Sequence, residues 1–365
     1  MKVLMLGNYK KTHYVRGLNI YNGLLKNKVE TELVLARNFF EYLKMFFRII
    51  KRDYDIIILR GKPVFLLAYL TKIIHRKKIL FDVFISDYES LCVVKKTIKN
   101  KLLKKLIWFS DKFACEKSDF NILDTKFHIE YFVNEFKLNK KKFEVVFVGA
   151  DDKIFFPEKK IISNDNRNKK FKIAFYGSFI PGHGIDVMLK AAKLIEKDKE
   201  INPKNENNIV FDFIGYGPLH NEMVDLSKKL KNKNVNFLGW INFNELPKKL
   251  QEYDLCLGLF DDSVEKVKRV IPTKVFEILA LKKVCITGKN KCMEYYFKDN
   301  ENILLCEMGS PEDLAEKIKF AYLNKEKTKK IAEIAYIYYK KTFTPKKIGE
   351  KVKEIIKNIL IQKTL

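Results

Sequence analysis

The chain has 365 residues, 47% of them hydrophobic, and carries 71 Lys and Arg against 45 Asp and Glu, for a net charge of +26. That length predicts two domains, each able to bury a core, and the charge predicts anionic partners: nucleic acid, anionic lipid or phosphorylated substrates. The six cysteines form no Cys-x-x-Cys pair and no zinc spacing with histidine, so a structural zinc site is excluded and reduced core cysteines of a cytosolic protein are expected.

The charge is not a detachable tail, because residues 1–150 carry 30 basic and 15 acidic side chains, and the remainder 41 and 30. The opening residues MKVLMLGN reach a glycine too soon for a secretory signal. The longest apolar run, Pro63 to Leu70, falls short of the roughly 20 residues that a spanning helix needs.

In chain order, residues 2–6 are expected as a buried strand that ends in a loop at Gly7-Asn8. A helix over 14–26 and a strand over 31–36 follow. Strands are expected at 55–60, 78–85, 119–123 and 144–148, and helices at 37–52, 62–76 and 97–118. The strands are continuous apolar runs, which predicts burial on both faces and a parallel sheet with βα alternation. Residues 157–170 (PEKKIISNDNRNKK) are polar and read as a linker.

The alternation then restarts. Strands are expected at 172–177, 209–215, 235–239, 255–260, 283–287 and 303–307. Helices are expected at 184–197, 219–231, 244–253 and 272–281, the last with Pro272 at its first position. Ser310 caps a further helix, and two basic helices, 326–341 and 346–361, end the chain. This predicts an α/β chain of two Rossmann-like, doubly wound parallel-sheet domains. The boundaries are 1–156, a linker 157–170, 171–345, and a C-terminal helix 346–365 that can cross back to the first domain. In such sheets ligands sit beyond the carboxyl ends of the strands.

Residues 265–277 (EKVKRVIPTKVFE) carry the densest chemistry. Lys266, Arg269 and Lys274 fall between a strand's carboxyl end and a helix N-terminus, where free N–H groups already favour a diphosphate. Glu277, one turn after Lys274, suits paired hydroxyls of a ribose or sugar, or the two form an ordinary exposed helix pair. In Gly177-SFIPGHG-Gly184 a strand, a glycine turn and a helix start succeed one another, so the backbone at Gly177, Ser178 and Gly184 can approach a phosphate, with His183 as a further donor. Gly215-Tyr216-Gly217 ends the next strand and reads as a turn beneath a nucleotide or as a plain tight turn.

In the first half, Asp82, Asp87 and Glu89 lie at or after a strand's carboxyl end. Asp82 or Asp87 can orient or deprotonate an acceptor hydroxyl, or Asp87 can cap the next helix. Gly7 and Asn8 are expected to contact the acceptor. Asp53-Tyr54-Asp55 precedes its strand, at the wrong end of the sheet for a metal site. No metal and no cofactor are expected.

The second half resembles glycosyltransferase family 4, the retaining enzymes of GT-B architecture. The resemblance rests on FYGSFIPGHGIDVMLKAAKLI from Phe175, DFIGYGP from Asp212, VNFLGW from Val235, DLCLGLF from Asp254, PTKVFEILAL from Pro272 and GSPEDLAEKI from Gly309. VGADDKIFFP at Val148 adds to it. It implies two domains facing a central cleft and metal-independent transfer of a sugar from a nucleoside diphosphate sugar, with Lys266, Arg269, Lys274 and Glu277 as catalytic and donor-binding residues. Glu277 matches the second glutamate of the family's Glu-x7-Glu pattern, whose first position is Arg269 here. The family's phosphate-holding Arg and Lys are Ser178 and His183 here, which implies that the lost cations are replaced by Lys266, Arg269 and Lys274. These departures keep open a GT-B epimerase or a non-catalytic nucleotide-sugar-binding protein.

The acceptor implied is a glycan or lipid-linked precursor, on a cytoplasmic enzyme that can be peripheral on the inner face of the membrane. Residues 95–112 carry seven Lys and one Asp, with Ile98, Leu102, Leu103, Leu106 and Phe109 on one helical face; residues 37–52 are similar. Such faces either meet an anionic membrane surface or pack on the sheet. No element that reads nucleic acid is present, so no nucleic-acid partner is expected.

Overall fold

The computed structural model describes residues 1–8, 15–51, 53–61, 65–66, 69, 72–73, 76–158, 170–203 and 207–361. The chain divides into two compact units, Met1–Ala150 with Thr342–Leu365, and Asp151–Lys341.

The first unit holds six parallel strands, β1 (Lys2–Asn8), β2 (Glu30–Ala36), β3 (Ile56–Arg60), β4 (Lys78–Asp82), β5 (Phe120–Leu123) and β6 (Phe143–Val145), in the order β2-β1-β3-β4-β5-β6. The inner residues of the central strands, Val3–Leu6, Ile56–Leu59 and Ile79–Phe81, are all apolar because both faces are covered. Leu4, Leu6, Ile57 and Leu59 face Met45 and Ile49 of helix Phe39–Ile50, Ala114 and Cys115 of helix Lys101–Lys117, and Phe132 and Phe136 of helix Lys126–Phe136. Val3, Met5, Ile56 and Ile58 face Ile20 and Leu24 of helix Val15–Lys26, with Ile348, Val352 and Ile356 of helix Pro345–Ile361.

Several boundaries shift. β1 runs on to Asn8, because Gly7 pairs with Leu35 and Arg60 and Asn8 with Ala36, so Gly7 and Asn8 end a strand rather than open a loop. β4 stops at Asp82, since Phe84 takes a left-handed backbone (φ 46°) that no strand allows. The helix expected at 97–118 starts at Lys101, where the Asn100 side chain accepts from the Leu102 and Leu103 amides. The helix expected at 62–76 lies largely outside the described residues. Helix Lys126–Phe136, capped by Thr125, has no counterpart in the sequence reading.

In the second unit the strands β7 (Phe171–Tyr176), β8 (Ile209–Ile214), β9 (Val235–Gly239), β10 (Leu255–Leu257), β11 (Val284–Lys289) and β12 (Leu304–Glu307) are parallel in the order β12-β11-β10-β7-β8-β9. The order reverses at β7, with β8 on one side and β10 on the other. Residues 151–156 fall in this unit, since the Phe155 ring meets Phe243 edge-on at 5.7 Å and Gln251 Nε2 donates to the Phe156 carbonyl at 3.0 Å. Of the linker expected at 157–170, residues 159–169 lie outside those described. All six cysteines are buried and free.

The chain returns to the first unit through helix Pro345–Ile361, which meets helix Val15–Lys26 backbone to backbone. A Cβ on Gly23 would lie 2.1 Å from the Pro345 carbonyl oxygen, and one on Gly349 would lie 2.1 Å from the Gly23 carbonyl carbon. A side chain at either position must push the helices apart. Gly349→Val is expected to cost about 1–3 kcal/mol of stability in urea unfolding; an unchanged midpoint would show that the contact is loose.

Candidate functional site

The reversal of strand order at β7 puts a crevice at the carboxyl ends of β7 and β10, where α/β sheets take ligands. Two turns meet there. The first, Gly177 to Gly184, leaves β7. The Gly182 amide donates to Asp261 Oδ2 at 2.7 Å, and the Phe260 amide donates to the His183 carbonyl at 3.1 Å. The second, the 3-10 turn Glu265–Arg269, touches the first: a Cβ on Gly182 would lie 3.2 Å from Val267 Cγ2. Helix Thr273–Ala280 follows, with Pro272 as its cap residue rather than its first helical residue, so the cap offers its first amides no side-chain acceptor.

That helix is buried along nearly its whole length, which carries Lys274 and Glu277 into the interior, at 8% and 6% exposure. They are therefore not an exposed helix pair. Lys274 Nζ lies 4.0 Å from the centroid of the Phe175 ring. A Cβ on Gly177 would lie 3.4 Å from that nitrogen and 3.7 Å from His183 Cε1. The ammonium thus sits directly against the backbone of the first turn. Among the described residues Lys274 Nζ has no hydrogen-bond acceptor. Glu277 Oε2 accepts from the Tyr176 hydroxyl at 2.8 Å, and the same hydroxyl reaches the Lys274 carbonyl at 3.3 Å.

Burial drives the titration of these groups. It pulls the Lys274 amine down to about 7, with the Glu277 carboxylate opposing. It pushes Glu277 up to about 7, with the Tyr176 hydroxyl and Lys274 opposing. Burial, reinforced by the charge of Lys274, holds His183 down at about 2, so its imidazole is neutral at physiological pH and does not stand in for a cation. A second lysine is a useful control. Lys283 is equally buried, at 8%, but its Nζ donates to the Gln251 and Tyr253 carbonyls at 2.6 Å each. Its charge is satisfied by the fold; that of Lys274 is not.

The other residues singled out in the second unit fall around this point. Lys266 and Arg269 are half-buried on the 3-10 turn, and Ser178 is exposed at the tip of the first turn. Gly215 and Gly217 support that turn from beneath. A Cβ on Gly215 would lie 2.0 Å from the Gly177 carbonyl oxygen, and one on Gly217 would lie 2.5 Å from the Phe179 amide. Gly184 is left-handed (φ 70°) and presses on Phe260 and Asp261. Tyr216 is exposed, its ring 4.4 Å from His220. Phe175, Tyr176 and Asp261 were not read as site residues. The signal for the first two was their place at the last positions of β7, and for Asp261 its place just past β10.

In the first unit the expectations change. Asp82 is fully buried: Arg16 Nε donates to its Oδ1 at 2.7 Å, and Arg60 lies 3.6 Å from its Oδ2. Phe84 covers both guanidinium groups, at 5.5 and 4.9 Å. Asp82 is a counter-ion here, closed off from an acceptor hydroxyl. Asp87 stands at the start of the π-helical turn Tyr88–Val94 without capping it. Ser86 caps instead, accepting from the Glu89 amide at 2.9 Å while donating to Asp111. Asp53 and Asp55 bind the chain's start: Lys2 Nζ meets Asp53 at 3.0 Å and the Lys2 amide meets Asp55 at 2.8 Å. Among the described residues no group of three His, Cys, Asp or Glu could hold a metal ion, and no helix is long and apolar enough to cross a membrane.

Residues 157–338 match the family described as glycosyl transferases group 1. An uncharacterized glycosyltransferase of Methanocaldococcus jannaschii is 23% identical over 88% of this chain and 79% of its own length. The chitobiosyldiphosphodolichol beta-mannosyltransferase of Debaryomyces hansenii is 23% identical over 77% of this chain and 66% of its own. The crystal structure of Anabaena HepE in complex with UDP-glucose superposes with a TM-score of 0.71 at 13% identity, over 98% of this chain and all of that one. With nearly all of its second unit matched by that family, the chain belongs to the group 1 glycosyl transferases and is a glycosyltransferase of GT-B fold.

Proposed function

We propose that the chain moves a sugar from a nucleoside diphosphate sugar to the hydroxyl of a glycan or lipid-linked precursor, with retained anomeric configuration and without a metal. The observation that carries this reading is the buried Lys274 ammonium, held against Gly177 with no acceptor of its own. A diphosphate is the ligand that would supply one. Support comes from HepE, whose structure holds UDP-glucose, and from the Debaryomyces relative, named for a diphosphodolichol acceptor.

In this reading Lys274, the uncapped start of helix Thr273–Ala280, Lys266 and Arg269 neutralise the diphosphate, and Glu277 accepts hydroxyls of the donor. The acceptor oxygen forms a bond to the anomeric carbon as the bond from that carbon to the phosphate oxygen breaks. Charge develops on the leaving diphosphate, where Lys274 stabilises it. With Asp82 closed off by Arg16 and Arg60, the hydroxyl proton passes to the leaving phosphate. An epimerase of the same fold would convert the donor with no acceptor present, whereas a transferase releases nucleoside diphosphate only when acceptor is added.

A nucleoside diphosphate sugar is expected to raise the melting temperature by mass action. If no member of a panel of such donors shifts it, the donor reading is lost. Lys274→Met should weaken donor binding by about 1.5–3 kcal/mol, the worth of a charge-assisted hydrogen bond, read by calorimetry. Equal affinity in the variant would remove Lys274 from the site.

The titrations make two further predictions. An anion beside Lys274 raises its pKa, so binding takes up a proton. Affinity should therefore hold below pH 7 and weaken as pH rises above it. Calorimetry in buffers of different ionisation enthalpy reads that uptake directly, and proton release would contradict it. Stability follows the same logic. Between pH 4.5 and 7 folded Glu277 holds more protons than the unfolded chain, so its contribution falls as pH rises. Between pH 7 and 10.5 folded Lys274 holds fewer, so its contribution grows. The pair stabilises least near pH 7. Lys274→Met with Glu277→Gln should gain about 1–4 kcal/mol there in urea unfolding, while losing donor binding; a clear loss of stability would mean that the pair holds the fold together.

A further inference from the structure

We infer that the first unit docks on an anionic lipid bilayer through the outer faces of helices Phe39–Ile50 and Lys101–Lys117. Both helices carry two apolar faces. The inner faces, with Tyr42, Met45 and Ile49 on one and Trp108, Ala114 and Cys115 on the other, pack on the same side of the sheet. The outer faces are a strip of Phe40, Leu43, Phe47 and Ile50 on the first helix and of Leu102, Leu106 and Phe109 on the second. These residues are 41–73% exposed. The face formed by Leu102, Leu106 and Phe109 is the one that the sequence left open between sheet and membrane, and it is the sheet that it does not meet.

Single exposed apolar residues are ordinary, but two strips on helices of one layer are not. Lysines border them. Lys44 and Lys51 are exposed on or beside the first strip, and Lys95, Lys96, Lys99, Lys101 and Lys105 on or before the second. From Ser90 to Ser110 the chain has no Asp or Glu. Asp111, the next acid, is buried on the inner side and accepts from Ser86 and the Tyr88 amide. Glu41, on the first helix, accepts from the Arg37 amide at 2.5 Å. Apolar side chains beside lysines that make no ion pair among the described residues match acyl chains below a layer of anionic headgroups.

The charge selects this occupant over the others. A second copy, packed symmetrically, would press lysines against lysines. The edges of nucleic-acid bases give Leu43, Leu102 and Leu106 no matching surface. The inference stands on the first unit alone and does not require the donor assignment.

The test is flotation of the full chain with phosphatidylcholine vesicles, with and without about one third phosphatidylglycerol, at low and high salt. At least tenfold more protein is expected on the anionic vesicles at low salt, falling as salt rises. Phe47→Ser with Phe109→Ser, and separately Lys99→Gln with Lys101→Gln and Lys105→Gln, should each lower that fraction at least tenfold. Both should leave the melting curve unchanged, since these side chains are not in the core. The thermal shift with nucleoside diphosphate sugars, followed on the same samples, tests the donor reading separately. The inference is overturned if the wild type ignores anionic vesicles at low salt. It is equally overturned if sedimentation velocity shows a dimer that the Phe47→Ser, Phe109→Ser variant abolishes.

Discussion

The candidate site of the second unit is built around a buried lysine, Lys274, whose amine meets no hydrogen-bond acceptor among the described residues. Helix Thr273–Ala280 is buried on almost every side, so it cannot turn Lys274 towards solvent. An ammonium held there without an acceptor destabilises the fold unless it loses its proton or gains an anion. The neighbourhood keeps both outcomes available. The Phe175 ring offers a weak cation contact, the Tyr176 hydroxyl occupies Glu277 Oε2 instead of leaving it to the lysine, and His183 stays neutral. Gly177, Gly215 and Gly217 then matter for one reason: they let the turns leaving β7 and β8 lie backbone on backbone beside that charge.

The first unit is also a doubly wound parallel sheet, with a different strand order and the opposite electrostatic result. Its strand order reverses at β1, beside the edge strand β2, and buried charge again collects near the carboxyl ends of the strands. There, however, the Asp82 carboxylate meets Arg16 and Arg60, and Phe84 lies over both. Arg16 also donates to the Val146 carbonyl. That ion pair holds elements together, although Arg16 Nη2 and Asp82 Oδ2 make no hydrogen bond among the described residues. Both sheets therefore bury charge near the carboxyl ends of their strands, and in the first unit much of that charge is met by an opposite one.

That distinction marks the limit of what the sequence makes legible. Continuous apolar runs such as Ile56-Ile-Ile-Leu reveal a strand buried on both sides, because such burial leaves no polar face to alternate with. The strands and the restart of the alternation could be read for that reason. Asp82 could not be read correctly, because its partners Arg16 and Arg60 lie 66 and 22 positions away and nothing local announces them. The outer strip of helix Lys101–Lys117 was ambiguous for a related reason. A helix with apolar residues around most of its circumference does not declare which side meets the sheet. Here it is the side with Trp108, whose Nε1 donates to Glu135, and Cys115.

Net charge is a poor guide to the site, and the two buried lysines show why. Most of the +26 lies on side chains in water, where it sets what the surface attracts and little else. Lys274 and Lys283 are the same residue type at the same exposure. Lys283 faces two carbonyl oxygens and needs nothing further. Lys274 faces an aromatic ring and a glycine backbone. The fold has therefore withheld from one of two equivalent cations the acceptors that it gives to the other. The difference lies in the backbone around each amine, so a side chain at Gly177, whose Cβ would lie 3.4 Å from Lys274 Nζ, would fill the space beside that amine without changing any charge.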